Sequence, residues 1–184
     1  MSTTLRHSKE FKRQDMKMNY RVLKPTDALD YRRIRLESLQ CFPECYGSCY
    51  EKEKDKPELF FEQKILAQST DALMLGAFTG SELVGLCGLI AKDSTEYILV
   101  QMYVKPAYAG NGVGQQLLTK AKETLRHLRA ATLTLTVYEQ NTAAIRSYEK
   151  AGFIERERVA NEISMVFGLS ESVHLGSLSN LPVE

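Results

Sequence analysis

The stretch VKPAYAGNGVGQQLL, residues 104–118, constrains the fold more than any other part of the chain. Gly110, Gly112 and Gly114 alternate with Asn111 and Val113 between an apolar run and the start of an amphipathic one. Without side chains, the backbone can turn tightly there and come close to a ligand. A helix that opens on such a turn presents N–H groups with no internal partner, and its dipole adds positive potential. The segment therefore predicts a strand, an anion-binding loop and a helix in sequence. No Lys or Arg lies between Ala107 and Gln116, so the hold on an anion would rest on backbone dipoles.

Two phosphate-binding patterns fit poorly. A P-loop requires GxxxxGK[ST], and Gly114 is followed by Gln115-Gln116. A dinucleotide fingerprint requires GxGxxG directly after a strand, whereas here the spacing is GxGxG and Pro106-Ala107-Tyr108-Ala109 intervenes. Glu139, ending the next strand, stands roughly where a ribose-binding acid would, so that alternative stays open.

The flanks set the architecture. MNYRVLK from Met18 alternates as a strand, and Pro25-Thr26-Asp27 opens a helix carrying Leu29, Ile34, Leu36 and Leu39 until Pro43 stops it. Residues 43–56 read as a loop, and a second helix is expected from Pro57 to about Gln68. Strands follow near 72–79 and 82–91 about a turn at Thr79-Gly80-Ser81, then a strand at 96–104. A helix from about Gly112 to Arg129 carries the stripe Val113, Leu117, Ala121, Leu125 and Leu128. Strand 132–137, helix 142–151 and strands near 153–158 and 162–168 complete the order β α α β β β α β α β β. This is an α/β chain with a mixed sheet flanked by helices. Residues 1–17 read as a flexible leader, 18–169 as the domain and 170–184 as a tail.

The helix at 142–151 has its own signature. Asn141 suits an N-cap and Gly152 a C′ position, with Phe153 able to pack back. Positions 141, 144, 145 and 148 share one face, so an amide and the Tyr148 phenol point the same way. A core tyrosine beside Ala144 and Ile145 would look the same.

The run Val104-x-Pro106 then Gly110-x-Gly112-Val113-Gly114-x-x-Leu117-Leu118 resembles motif A of the GCN5-related N-acetyltransferases. Asn141-x-x-Ala144-Ile145-x-x-Tyr148-Glu149-Lys150-x-Gly152-Phe153 resembles their motif B, in family order. The resemblance covers residues 18–169 and implies the acyl-CoA N-acyltransferase fold, with a mostly antiparallel central sheet. It implies an enzyme moving acetyl from acetyl-CoA, as co-substrate, to a primary amine of a small molecule or peptide by direct attack. It implies cofactor contacts from Met102, Tyr103 and Val104 along the strand, from Gly110, Asn111, Gly112, Val113, Gly114 and Gln115 in the loop, and from Asn141. Tyr148 takes the role of general acid to the CoA thiolate, and Glu96 stands where some members place a base; others use ordered water. Glu37 could sit where such enzymes admit substrate. Acceptor specificity would lie in the first two helices and the 43–56 loop. The family often forms homodimers through sheet edges or helices. Its usual motif A Arg or Gln falls at Ala109, which leaves the pyrophosphate to backbone N–H groups. A non-catalytic CoA-binding domain on the same fold is the alternative. Ala109 and the uncertain base favour it; Asn141 and Tyr148 weigh against it.

Other classes find little support. Lys+Arg total 24 against 23 Asp+Glu, which leaves no basic footprint for nucleic acid. No apolar run approaches membrane-spanning length, and no signal-peptide core follows the start, so the cytoplasm is the expected location. Cys41, Cys45 and Cys49 recur every fourth residue, but Pro43 and Gly47 break the helix that would stack them. No fourth ligand lies nearby, so no metal is expected. Cys87 falls in an apolar strand and reads as core.

Overall fold

The computed structural model describes residues 17–169. The expected tail, and all but the last residue of the expected leader, lie outside the described residues. Seven strands form one sheet: β1 (Met18–Val22), β2 (Ala72–Thr79), β3 (Glu82–Ala91), β4 (Glu96–Val104), β5 (Thr132–Tyr138), β6 (Ile154–Val159) and β7 (Glu162–Gly168). Their spatial order is β1-β2-β3-β4-β5-β7-β6. Every neighbouring pair is antiparallel except β4–β5. Among the described residues five helices accompany the sheet: α1 (Ala28–Cys41), α2 (Tyr50–Glu53), α3 (Phe60–Leu66), α4 (Val113–His127) and α5 (Thr142–Lys150). The mostly antiparallel sheet flanked by helices is the architecture expected from the sequence.

Strand alternation sends two sets of side chains to opposite faces. On one face, Leu75, Ala77, Val84, Leu89 and Leu99 pack against the α4 stripe of Val113, Leu117, Leu118, Ala121 and Leu125. On the other, Met74, Phe78, Leu83, Leu86 and Tyr103 pack against Tyr31 and Ile34 of α1 and Phe61 and Ile65 of α3. Each fully buried Leu or Phe contributes about 1.5–3 kcal/mol of transfer free energy, so both faces are needed to fix the sheet. Gly76 marks how closely they pack: a Cβ there would lie 2.6 Å from Leu23 and 2.7 Å from Leu83.

Three local expectations change. Leu29, one of the apolar residues expected on α1, is 73% exposed, and Arg35 and Ser38 are buried instead. The 43–56 segment is not only loop, because it holds the 3-10 turn Pro43–Cys45 and the single turn α2. The second helix starts at Phe60 rather than Pro57, since Leu59 is still extended, and Glu62 accepts the Leu59 N–H at 3.0 Å. It ends by Ala67, before Gln68 at φ +50°.

Candidate active site

The site begins with an irregularity in β4. Leu86 pairs with Tyr103 and Gly88 with Val100, so Gln101 and Met102 share Cys87 as their opposite residue. This is a β-bulge, with Gln101 at φ +52°. The Tyr31 hydroxyl donates to Gln101 Oε1 at 3.0 Å, which ties the bulge to α1. The parallel pairing of β4 with β5 covers only Glu96–Ile98 against Thr132–Thr134. Past that point the strands part around a cavity of about 660 Å³. β4 residues 98–104 and β5 residues 136–138 wall it, α5 contributes Ala144, Ser147 and Tyr148, and Phe42, Cys45, Tyr46 and Gly47 close over it. Met102, Tyr103 and Val104 all line this cleft.

β4 runs out of the cleft into the glycine loop through the 3-10 turn Pro106–Tyr108. Gly110 and Gly112 have φ of +75° and +79°, the left-handed region that other residues enter only with strain. A Cβ at either would meet nothing within 4 Å, so the glycines serve backbone conformation and an open approach. The Gln116 N–H bonds the Gly112 carbonyl. Among the described residues, the amides from Gly110 to Gln115 have no backbone acceptor outside the helix, which leaves these donors free at the start of α4. These loop residues do not line the cavity itself. The Gln115 side chain donates to the carbonyl and hydroxyl oxygens of Ser147, at 2.7 and 2.9 Å, and so links the start of α4 to α5.

Helix α5 carries the other half. Asn141 Oδ1 accepts the Ala144 N–H at 3.2 Å, as a cap does. At the far end the Phe153 N–H reaches the Tyr148 carbonyl and the Gly152 N–H the Glu149 carbonyl, a Schellman closure with Gly152 at φ +86°. These caps fix the rotation of α5 and hold Tyr148 against Phe153, ring centroids 5.8 Å apart. Tyr148 is 8% exposed and lines the cleft. Its hydroxyl has no hydrogen-bond partner among the described residues, and burial raises its pKa above the ordinary phenol value.

A model of the acetyltransferase (GNAT) family matches residues 32–153. This chain belongs to the GNAT family. It is 32% identical to the spermidine N(1)-acetyltransferase of Thermoplasma acidophilum over 61% of this chain and 70% of that protein. It is 37% identical to the N-alpha-acetyltransferase RimI of Mycobacterium tuberculosis over 43% of this chain and half of that one. Among solved structures, the PaiA N-acetyltransferase of Thermoplasma acidophilum in complex with coenzyme A superposes with a TM-score of 0.71 at 24% identity. That match covers 84% of this chain and all of the other. A GNAT acetyltransferase of Streptococcus pneumoniae gives 0.67 at 20% identity, covering 83% and 99%. These likenesses show the fold.

The remaining residues of this GNAT acyltransferase fall in instructive places. Glu96 does not reach the cleft. It pairs with Lys92 at 3.0 Å and accepts from the Thr134 hydroxyl at 3.0 Å. The Lys92 contact lowers its pKa, which makes it a weaker base than a free carboxylate. Glu37 accepts from the Tyr103 hydroxyl at 2.8 Å and faces a separate charged pocket with Asp30 and Glu82. Glu139 pairs with Arg158 at 3.4 Å on the surface, away from the glycine loop's chemistry.

Three features were not anticipated. Tyr46 donates to the Met102 carbonyl at 3.1 Å, and burial pushes its phenol up to about 12. Arg35, 5% exposed, lies over the Tyr46 ring at 4.8 Å and props it there. Glu162, at the start of β7, is the one charged side chain lining the cleft among the described residues. Its position directly after the two-residue turn Ala160-Asn161 carries no local signal of that role.

Proposed function

We propose that this enzyme transfers acetyl from acetyl-CoA to a primary amine by direct attack, with Tyr148 as general acid to the departing thiolate. The observation that carries the reading is the cleft where β4 and β5 part, lined by Met102, Tyr103, Val104 and the buried Tyr148, with the glycine loop following from the end of β4. CoA has the matching parts: a pyrophosphate for the loop amides, an extended pantetheine arm for strand backbone, and a thioester for the cleft. The CoA complex of PaiA supports the assignment.

In the reaction the amine lone pair attacks the thioester carbon, whose oxygen becomes negative and needs donors. Backbone groups at the β4 bulge supply the polar edge there. As the C–S bond breaks, the electron pair goes to sulfur and the Tyr148 proton follows. Because burial holds this phenol neutral well into the alkaline range, it arrives at the reaction carrying its proton. The amine must lose a proton before attack. With Glu96 committed to Lys92, that proton leaves through water at the cleft mouth. Glu162 gives the cleft a single negative charge, which favours an ammonium-bearing acceptor over an acidic one. The relatives named for spermidine and for protein N-termini are consistent with an amine.

Thiol release from acetyl-CoA across a panel of amines tests this, with Tyr148→Phe beside wild type. The variant is expected to lose about 10²–10⁴-fold in kcat. Wild-type rate should show no alkaline fall from this group below about pH 10. Unchanged turnover in the variant removes Tyr148 as the acid.

A further inference from the structure

The roof of the cleft contains a thiol that the transfer reaction does not use. Cys45 lines the cavity, and its Sγ accepts from Asn141 Nδ2 at 3.5 Å. It lies near enough to Tyr148 that a thiolate at Cys45 would raise that phenol further. Tyr148, 8% exposed and with no hydrogen-bond partner for its hydroxyl among the described residues, lines the same cleft and is a second pointer to a ligand at this spot. The other cysteines differ. Cys41 is exposed and Cys49 half-buried, and neither lines the cavity. Cys87 is wholly buried in the core beneath α4.

We propose that Cys45 is a thiol switch for this enzyme: a CoA-containing disulfide enters by the acetyl-CoA path, exchanges with Cys45 and closes the site. The inference rests on the assignment of the cleft to CoA. If the CoA sulfur is brought to Tyr148 for protonation, a disulfide at the same sulfur is brought beside Cys45. The Cys45 thiolate attacks the CoA sulfur, the S–S bond breaks, and the second thiol leaves as thiolate. That leaving group takes up the proton Cys45 gave away, so the exchange consumes only the disulfide. The product, Cys45–S–S–CoA, fills the cleft with a tethered copy of its own ligand. A thiol reverses it by the same exchange.

Burial raises the Cys45 pKa, so little thiolate is present at neutral pH. A reagent that does not dock should therefore react slowly. Selectivity comes from positioning: a docked disulfide sees the sulfur at a high effective concentration.

The test is intact and peptide mass spectrometry of the full chain after incubation with oxidised CoA, followed by the thiol-release assay. One CoA adduct is expected, at Cys45, with activity lost in proportion and regained on adding dithiothreitol. Saturating acetyl-CoA should protect. Oxidised glutathione, which lacks the nucleotide, should modify Cys45 at least roughly tenfold more slowly. Cys45→Ser should keep whatever activity it has before treatment. Adducts spread evenly over Cys41 and Cys49 would overturn the proposal, as would equal rates with glutathione. So would the lack of any adduct in an enzyme that turns over acetyl-CoA. Failure to bind or turn over acetyl-CoA at all would instead remove the cleft assignment, and the switch with it.

Discussion

Glu162 has no ion-pair partner among the described residues, so its charge is available to whatever enters the cleft. If it draws in the acceptor ammonium without touching the reacting atoms, its loss should act on binding alone. Glu162→Gln is expected to raise KM for the amine by about threefold to tenfold, the effect of an exposed charge contact of up to about 1 kcal/mol or slightly more. kcat and KM for acetyl-CoA should stay near wild type. An equal fall in kcat would mean that Glu162 takes part in the chemistry. Gly112 makes a different kind of residue-scale argument. It sits at φ +79° with empty space where a Cβ would go, so substitution brings strain rather than collision. Gly112→Ala is expected to cost about 1–2 kcal/mol of loop geometry, read as a roughly tenfold rise in KM for acetyl-CoA with kcat retained. Gly112→Val should be worse, since a β-branched residue resists the left-handed region more strongly. If acetyl-CoA affinity survives both changes, the loop does not hold pyrophosphate by this geometry.

At the scale of elements, the 3-10 turn Pro25–Asp27 that leads into α1 shows how a cap is built from charge. Asp27, 7% exposed, accepts two bonds from the Arg21 guanidinium, at 2.6 and 2.9 Å, and the Lys24 N–H at 2.7 Å. Arg21 in turn lies over the Phe78 ring at 4.0 Å, so the cap also fastens β1 to the core. The Arg21 bonds are the main reason the Asp27 carboxyl sits below its ordinary pKa. A group whose folded pKa is depressed stabilises above its unfolded value and loses that contribution as pH falls through the folded one. Asp27→Asn should therefore destabilise by about 1–3 kcal/mol at neutral pH, with a diminishing difference from wild type below about pH 4. Urea melts of both proteins at pH 7 and pH 3.5 would show it. A difference that grows on acidification would refute this account of the cap.

The same scale shows what was legible in the sequence. β2, β3 and β4 match their expected bounds, because each is an apolar run ended by residues that favour turns. The Asn141 cap and the Gly152 closure were also readable, since both rest on local backbone chemistry. Leu29 misled because helical periodicity places a residue on a face without saying that the face is covered. The bulge at Gln101–Met102 was not readable at all. Gln101 is an ordinary residue held at positive φ by the register with β3 and by the hydroxyl of Tyr31, which lies 70 positions away in sequence. For Glu96 the limit is related: strand position alone does not show which end of β4 opens into the cleft.

For the molecule as a whole, the functional consequence is a sheet with a weak seam. The strands β1–β4 and β5–β7–β6 are joined by three register pairs between β4 and β5, and beyond these the two sets diverge. What spans the seam is α4, whose buried stripe shares one core with Leu99 on one side and Leu133 and Met165 on the other. A ligand lying along the open edge of β4, with its anionic end on the first turn of α4, would therefore add contacts where the protein has fewest. At a hundred times its dissociation constant, CoA should stabilise the fold by about 2.7 kcal/mol. For a chain of this size that is a rise in Tm of roughly 5–10 °C, at about 2–4 °C per kcal/mol. Hydrogen exchange should localise the effect. Slowing is expected at the amides of Met102 and Val104 and of Gly110–Gln115, with little change in β1. Protection centred instead on the charged pocket around Asp30, Glu37 and Glu82 would place the ligand on the α1 side of the sheet and leave the seam unbridged.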